Sequence, residues 1–349
     1  MKIAVGMKRP AQIFNTEYLR FLRQIGVTHV YGYKYDTDVL PSAKNGYWSY
    51  EDLVGLKKHF ADNGLVLEGI ENFVPLHWHK ILRDEPGQEE QLENVKRSIR
   101  NMGRAGINIM GYHFSLTGCP ERYDEEVGRG GVNSTVYDAA KYPEKYEYYP
   151  KRMTWGAVVE PDAEGYFPAI SREEIRDRKY RFLEEILPVA EEAGVQMAEH
   201  PEDPPVPYIY NIGRVLVTPE DYDHMIARFP SHSNMIEFCQ GTFAEMGCDI
   251  YETIRKYASA GRISYVHLRN VHGTVPHYEE RVIDDGDVNM AEALRAYRDS
   301  GYTGAFIPDH YPELIGADIH YAGVAHTIGY IRGLMKGLDI PIWGEDYKD

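Results

Sequence analysis

Two histidines, a cysteine and an aspartate, His200, Cys239, His267 and Asp309, follow one another at intervals of 39, 28 and 42 residues. Each closes a short apolar run. Met235, Ile236 and Phe238 lead to Cys239 and then to Gly241, so a thiol is delivered where a strand gives way to a loop. Imidazole, thiolate and carboxylate together suit a divalent transition ion, with zinc, ferrous iron and manganese all open, whereas an all-oxygen set would suit magnesium or calcium. Singly, each residue has a plainer reading: a lone Cys fills a core gap, a strand-end His is a hydrogen-bonded rim residue, and an Asp before a loop is a cap. Four in register point instead to one metal centre. His310 directly follows Asp309 and is placed to move a proton beside the ion, and Arg269, two residues beyond His267, suits bidentate binding of a substrate carboxylate. Glu202 and Asp203 read as functional neighbours of His200 or as solvated loop charges.

Ligands spaced by roughly one strand–helix unit require a repeating scaffold to bring them together. Apolar extended runs occur at residues 3–7, 27–33, 66–73, 107–114, 196–200, 234–239, 263–269 and 305–309. Helical patterns lie between and after them at 18–24, 49–63, 89–104, 172–193, 219–228, 243–260, 289–299 and 322–334. Ser49, Ser171 and Thr218 are N-cap candidates, and Gly26, Gly64, Gly106 and Gly194 are stops. Eight alternating units predict an α/β fold, a closed (β/α)8 TIM barrel formed by residues 1–349 as one domain. In that fold the carboxyl ends of the strands face the catalytic mouth. Residues 115–170 break the rhythm with glycines, prolines and clustered tyrosines. They are expected to form a long insertion after strand 4: a lid, a subunit contact, or a decoration packed on the rim. No glycine-rich phosphate loop follows any strand.

Acidic residues outnumber basic ones by 54 to 38, a formal charge of −16, which disfavours nucleic acid and anionic membranes as partners. An anionic substrate would then need a local metal or basic cluster. The chain has no signal-like start and no run of about 18 apolar residues. Its three cysteines, Cys119, Cys239 and Cys248, are irregularly spaced and argue against a disulfide framework, so a reducing, cytoplasmic setting is expected. A homo-oligomer is expected from the frequency of such assemblies among enzymes.

Several segments are more specific than this pattern: Ala-Gly-Ile at 105–107, Gly-Arg-Gly-Gly at 128–131, His-Pro-Glu-Asp-Pro-Pro at 200–205, Phe-Cys-Gln-Gly-Thr at 238–242, Val-His-Leu-Arg-Asn-Val at 266–271, Asp-Gly-Asp at 285–287 and Pro-Asp-His at 308–310. With these the chain resembles the mannonate dehydratase family. The resemblance implies a barrel enzyme that uses manganese or ferrous iron to remove water from D-mannonate, a small sugar acid, giving 2-keto-3-deoxy-D-gluconate in hexuronate catabolism. It implies His200, Cys239, His267 and Asp309 as metal ligands and a proton-transfer role for His310. Tyr321 is the nearest match to a participating tyrosine. Leu268 and Glu202 depart from the Phe and Asp that members often carry. A metal-dependent sugar isomerase or epimerase on the same barrel is the alternative, and a non-catalytic sugar-acid binding protein a third. Only dehydration yields a 2-keto-3-deoxy acid.

Overall fold

Eight parallel strands close into a ring in chain order: Lys2–Met7, His29–Tyr33, Val66–Glu71, Ile109–Tyr112, Gln196–Glu199, Asn234–Cys239, Ile263–His267 and Ala305–Ile307, the last pairing with the first. The computed structural model describes residues 1–141, 148–311, 313–315, 318 and 321–345, so residues 142–147 of the predicted insertion lie outside the described residues. The expected (β/α)8 barrel is therefore found, with six of the eight strands one to four residues shorter than the apolar runs suggested. Ala4, Tyr31, Ile109, Ala198, Met235, Tyr265, Ala305 and Ile307 fill the ring, and a larger apolar shell lies between the strands and the surrounding helices. Among the described residues no helix is long and apolar enough to cross a membrane.

The caps explain why the helices start where they do. The Ser49 side chain accepts from the Asp52 N–H and that of Ser171 from the Glu174 N–H, while Thr218 and Asp221 form a reciprocal capping box. Gly106 and Gly194 end their helices at φ +69° and +65°, a region that costs a side-chain-bearing residue energy.

Three features depart from the sequence reading. Helix Pro75–Arg83 was not anticipated: three of its buried residues, His77, His79 and Arg83, are polar, so residue type does not mark its inward side. The helix expected at 243–260 is two, Gln240–Glu245 and Ile250–Ser259. Gly247 at φ +76° ends the first, and the Asp249 side chain caps the second by accepting from the Tyr251 and Glu252 N–H groups. The insertion is also partly regular. Its hairpin, Tyr123–Val127 and Val132–Asp138, joins a second hairpin, Asn270–Thr274 and His277–Arg281, in a four-stranded antiparallel sheet. Val271, Tyr278 and Glu280 are buried while His272, Thr274 and His277 are exposed, so one face of this sheet is turned inward.

Candidate metal centre

Cys239 is the last residue of its strand and pairs in register with His267, the last of the next; His200 follows its strand end directly, and Asp309 stands two residues beyond Ile307. Parallel pairing thus brings four candidate ligands to the same end of the barrel, with Cys239 and His267 paired despite a register shift between Ile236 and Glu237. Ligand atoms of His200, Cys239 and His267, all buried, lie within 4.8 Å of one another, and Asp309 Oδ2 is 3.7 Å from His267 Nδ1. The orientation of each ring is fixed from behind. His200 Nδ1 donates to the Pro201 carbonyl at 2.7 Å, which turns Nε2 toward the site. His267 Nε2 donates to Glu71 Oε2 at 3.1 Å, with Glu237 Oε1 at 3.3 Å. The opposite nitrogen, Nδ1, is buried and has no hydrogen-bond partner among the described residues. A buried ring nitrogen without a hydrogen-bond partner, facing a carboxylate, fits a divalent cation that would take the place of its proton, and the donor set of two imidazoles, one sulfur and one carboxylate matches transition-ion chemistry.

The charges favour the same conclusion. Burial opposes ionisation of Cys239, but Arg269, His200 and His267 outweigh it and hold the thiol well below its ordinary range. Thr242 Oγ1 donates to the sulfur at 3.1 Å and Arg269 Nη2 approaches it to 3.5 Å. Asp309 is likewise held low, because His310 and His267 overcome the cost of its burial. Behind the candidate ligands, burial and the neighbouring Glu71 push Glu237 up, favouring its protonated form. Glu71 is pulled the other way: His267 offsets its burial, leaving it the charged acceptor. Glu71→Gln should therefore weaken divalent-ion binding by about 10- to 100-fold, the loss expected of an outer carboxylate that orients a ligand histidine. Competition with a chromogenic chelator measures this; unchanged affinity would leave Glu71 without that role.

Three of the four candidate ligands, His200, His267 and Asp309, open onto a mouth with two compartments, of about 360 and 570 Å³, and Cys239 is fully buried behind it. Lys8, Glu71, Arg122, His267, Asp309 and His310 line both. The structure brings His310 to this wall, with Nε2 3.5 Å from Asp309 Oδ2 and Nδ1 2.7 Å from Glu280 Oε2. It does not bring Tyr321 there. That ring packs on Tyr18 and Phe21, with centroids 5.5 and 4.8 Å apart, at the start of the last helix, and the wall is lined instead by Tyr18 and Tyr311. Arg269 is also absent from the lining. It is buried and engaged by Glu280, by Glu245 at 3.0 Å and by Asp203 at 3.1 Å, which ties it to the thiol side of the centre. Glu202 and Asp203 are not solvated: Glu202 pairs with Arg214 and His113, both at 2.9 Å, and Asp203 with Arg122 at 2.8 Å. Arg214 and His113 together offset the burial of Glu202 and hold its carboxyl at about 2.

Sequence reasoning missed Arg122, Lys8 and Arg9, cations that line the mouth. Arg122 precedes the first insertion strand, where no period marks it, and its Nη1 is held by Asp203 and Glu280, at 2.8 and 3.2 Å. Lys8 directly follows the first barrel strand and stands over the Tyr33 ring at 4.8 Å. Applying the strand-end rule to the first strand as well as to the last four would have found Lys8.

Comparison with known proteins gives a consistent picture. Residues 14–341 match the sequence model of the D-mannonate dehydratase family. Mannonate dehydratase 2 of Halalkalibacterium halodurans is 30% identical over 84% of this chain and 86% of its own length. The mannonate dehydratase of Thermotoga maritima is 30% identical over 93% of this chain and 95% of its own. Among solved structures, mannonate dehydratase from Streptococcus suis serotype 2 superposes with a TM-score of 0.80 at 26% identity, covering 100% of this chain and 99% of that one. D-psicose 3-epimerase from Clostridium cellulolyticum H10 superposes at 0.55 and 12% identity over 97% and 98% of the two chains, a likeness of fold alone.

Proposed function

The chain belongs to the mannonate dehydratase family, a group of metal-dependent hydro-lyases, and we propose that it dehydrates D-mannonate at the centre formed by His200, Cys239, His267 and Asp309. The observation that carries the site assignment is the buried, unpartnered Nδ1 of His267, turned toward Cys239 and Asp309. The four side chains would hold manganese or ferrous iron. When bound, such an ion supplies Lewis-acid polarisation of the substrate's oxygens.

The chain's own groups do the rest. Lys8 and Arg122 put positive charge on the wall of a protein whose net charge is −16, which supports retention of an anionic sugar acid there. His310 presents Nε2 at the same wall and is the group we assign to proton transfer, either taking the C2 proton or giving one to the departing C3 hydroxyl. Loss of both as water leaves an enol that becomes 2-keto-3-deoxy-D-gluconate. Arg269 is assigned to the support of the Cys239 thiolate in place of direct substrate binding. The thiols of Cys119, Cys239 and Cys248 are all free, in keeping with a cytoplasmic site of action.

The test is turnover by metal-reconstituted protein against a panel of aldonates, with products identified. D-mannonate is expected to be consumed with formation of the 2-keto-3-deoxy acid. Formation of an epimer or isomer with no loss of water would replace this reading by the isomerase one, and binding without turnover under any divalent ion would replace it by a binding protein.

A further inference from the structure

Glu280 lies in the connection from barrel strand Ile263–His267 to helix Met290–Asp299, on strand His277–Arg281 of the antiparallel sheet built from two separate hairpins. It is 2% exposed, and its partners are all functional neighbours. One oxygen, Oε2, accepts from His310 Nδ1 at 2.7 Å. The other, Oε1, takes Arg269 Nη1 and, at 3.2 Å, Arg122 Nη1. A carboxylate can only accept here, so the bond fixes the proton of a neutral His310 on Nδ1 and leaves the Nε2 lone pair for the mouth.

From this geometry we infer that Glu280 is the positioning residue of His310, selecting its tautomer and ring orientation for proton transfer. The inference rests on His310 being the proton-transfer group. The two arginines anchor the opposite oxygen, so the carboxylate cannot rotate away from the histidine without breaking two ion pairs. A side chain supplied by the accessory sheet thus completes a unit whose reacting end is on the barrel. That arrangement gives the sheet a function beyond covering the mouth: its registry, with Tyr278 opposite Tyr137, determines where Glu280 meets His310.

The measurement is a double-mutant cycle on the metal-loaded enzyme, comparing Glu280→Ala, His310→Asn and the pair, with bound metal quantified in each. Glu280→Ala is expected to lower kcat by about 10- to 100-fold, the range seen when an orienting partner is removed, with KM and bound metal little changed. In the His310→Asn background it should then have almost no further effect, because the group it positions is gone. Glu280→Gln keeps the shape and an acceptor for Nδ1–H, should fold if the alanine variant does not, and is expected to lose less kcat. Full additivity of the two substitutions, an unchanged kcat, or parallel loss of metal and activity in both Glu280 variants overturns the inference. An inactive His310→Asn with fully active Glu280 variants sinks the positioning role alone, whereas a fully active His310→Asn sinks the proton-transfer reading and the inference with it.

Discussion

Replacing Cys239 with serine is expected to lower turnover of D-mannonate by more than about 100-fold and to loosen the divalent ion at the same time. Outer-shell partners of ligand histidines are commonly worth about 10- to 100-fold, and a direct ligand should exceed that. The substitution is nearly isosteric, so the reason is electronic. Cys239 is fully buried, yet Arg269 and two histidines hold it as a thiolate. A serine hydroxyl would not ionise there, and the site would lose both a soft donor and a negative charge. Arg269 would keep Glu245, Asp203 and Glu280 as partners, so the surrounding ion pairs and the fold should survive. Metal content after dialysis, kinetics at saturating manganese and a thermal melt separate these effects. A serine variant that binds the ion and turns over normally would remove Cys239 from the ligand set.

The barrel was legible because each of its units carries local signals that tertiary structure reinforced: capping Ser49, Ser171 and Thr218, glycine stops, and apolar runs of strand length. The candidate ligands could be grouped for a related reason. In a parallel barrel the strand ends share one level, so sequence position stands in for position in space, and Cys239 and His267 are indeed register partners. What escaped was information held between distant segments. Glu280 meets His310 only because strand His277–Arg281 pairs with Val132–Asp138 from an insertion well over 100 residues earlier, and nothing local to either segment announces that pairing. Arg269 illustrates the converse error. Its type and spacing suited carboxylate binding, but three buried carboxylates occupy it, and the cations that line the mouth are Lys8, Arg9 and Arg122. Tyr321 was assigned by likeness alone, and its ring lies against Tyr18 and Phe21 outside the cavity lining.

His310→Asn should separate chemistry from metal binding more cleanly than any ligand change. His310 is not one of the four ligands: it is partly exposed at the wall, and its Nε2 is 3.5 Å from the Asp309 oxygen that faces His267. Bound metal is therefore expected to match the unsubstituted enzyme, in contrast to Cys239→Ser. The Asn side-chain amide can still donate toward Glu280 from about the place of Nδ1, so the network with Arg122 and Arg269 retains its hydrogen bond to this position. What it cannot do is take up and release a proton. Loss of a positioned general acid or base removes about 10²- to 10⁴-fold from the rate, and the loss should fall on kcat with KM little changed, since the wall cations Lys8 and Arg122 and the four ligands remain. If the Asn variant loses its metal in step with its activity, His310 serves the centre's structure; if it turns over D-mannonate at the full rate with metal bound, the proton moves through another group at the wall, and Tyr311 is the nearest to examine.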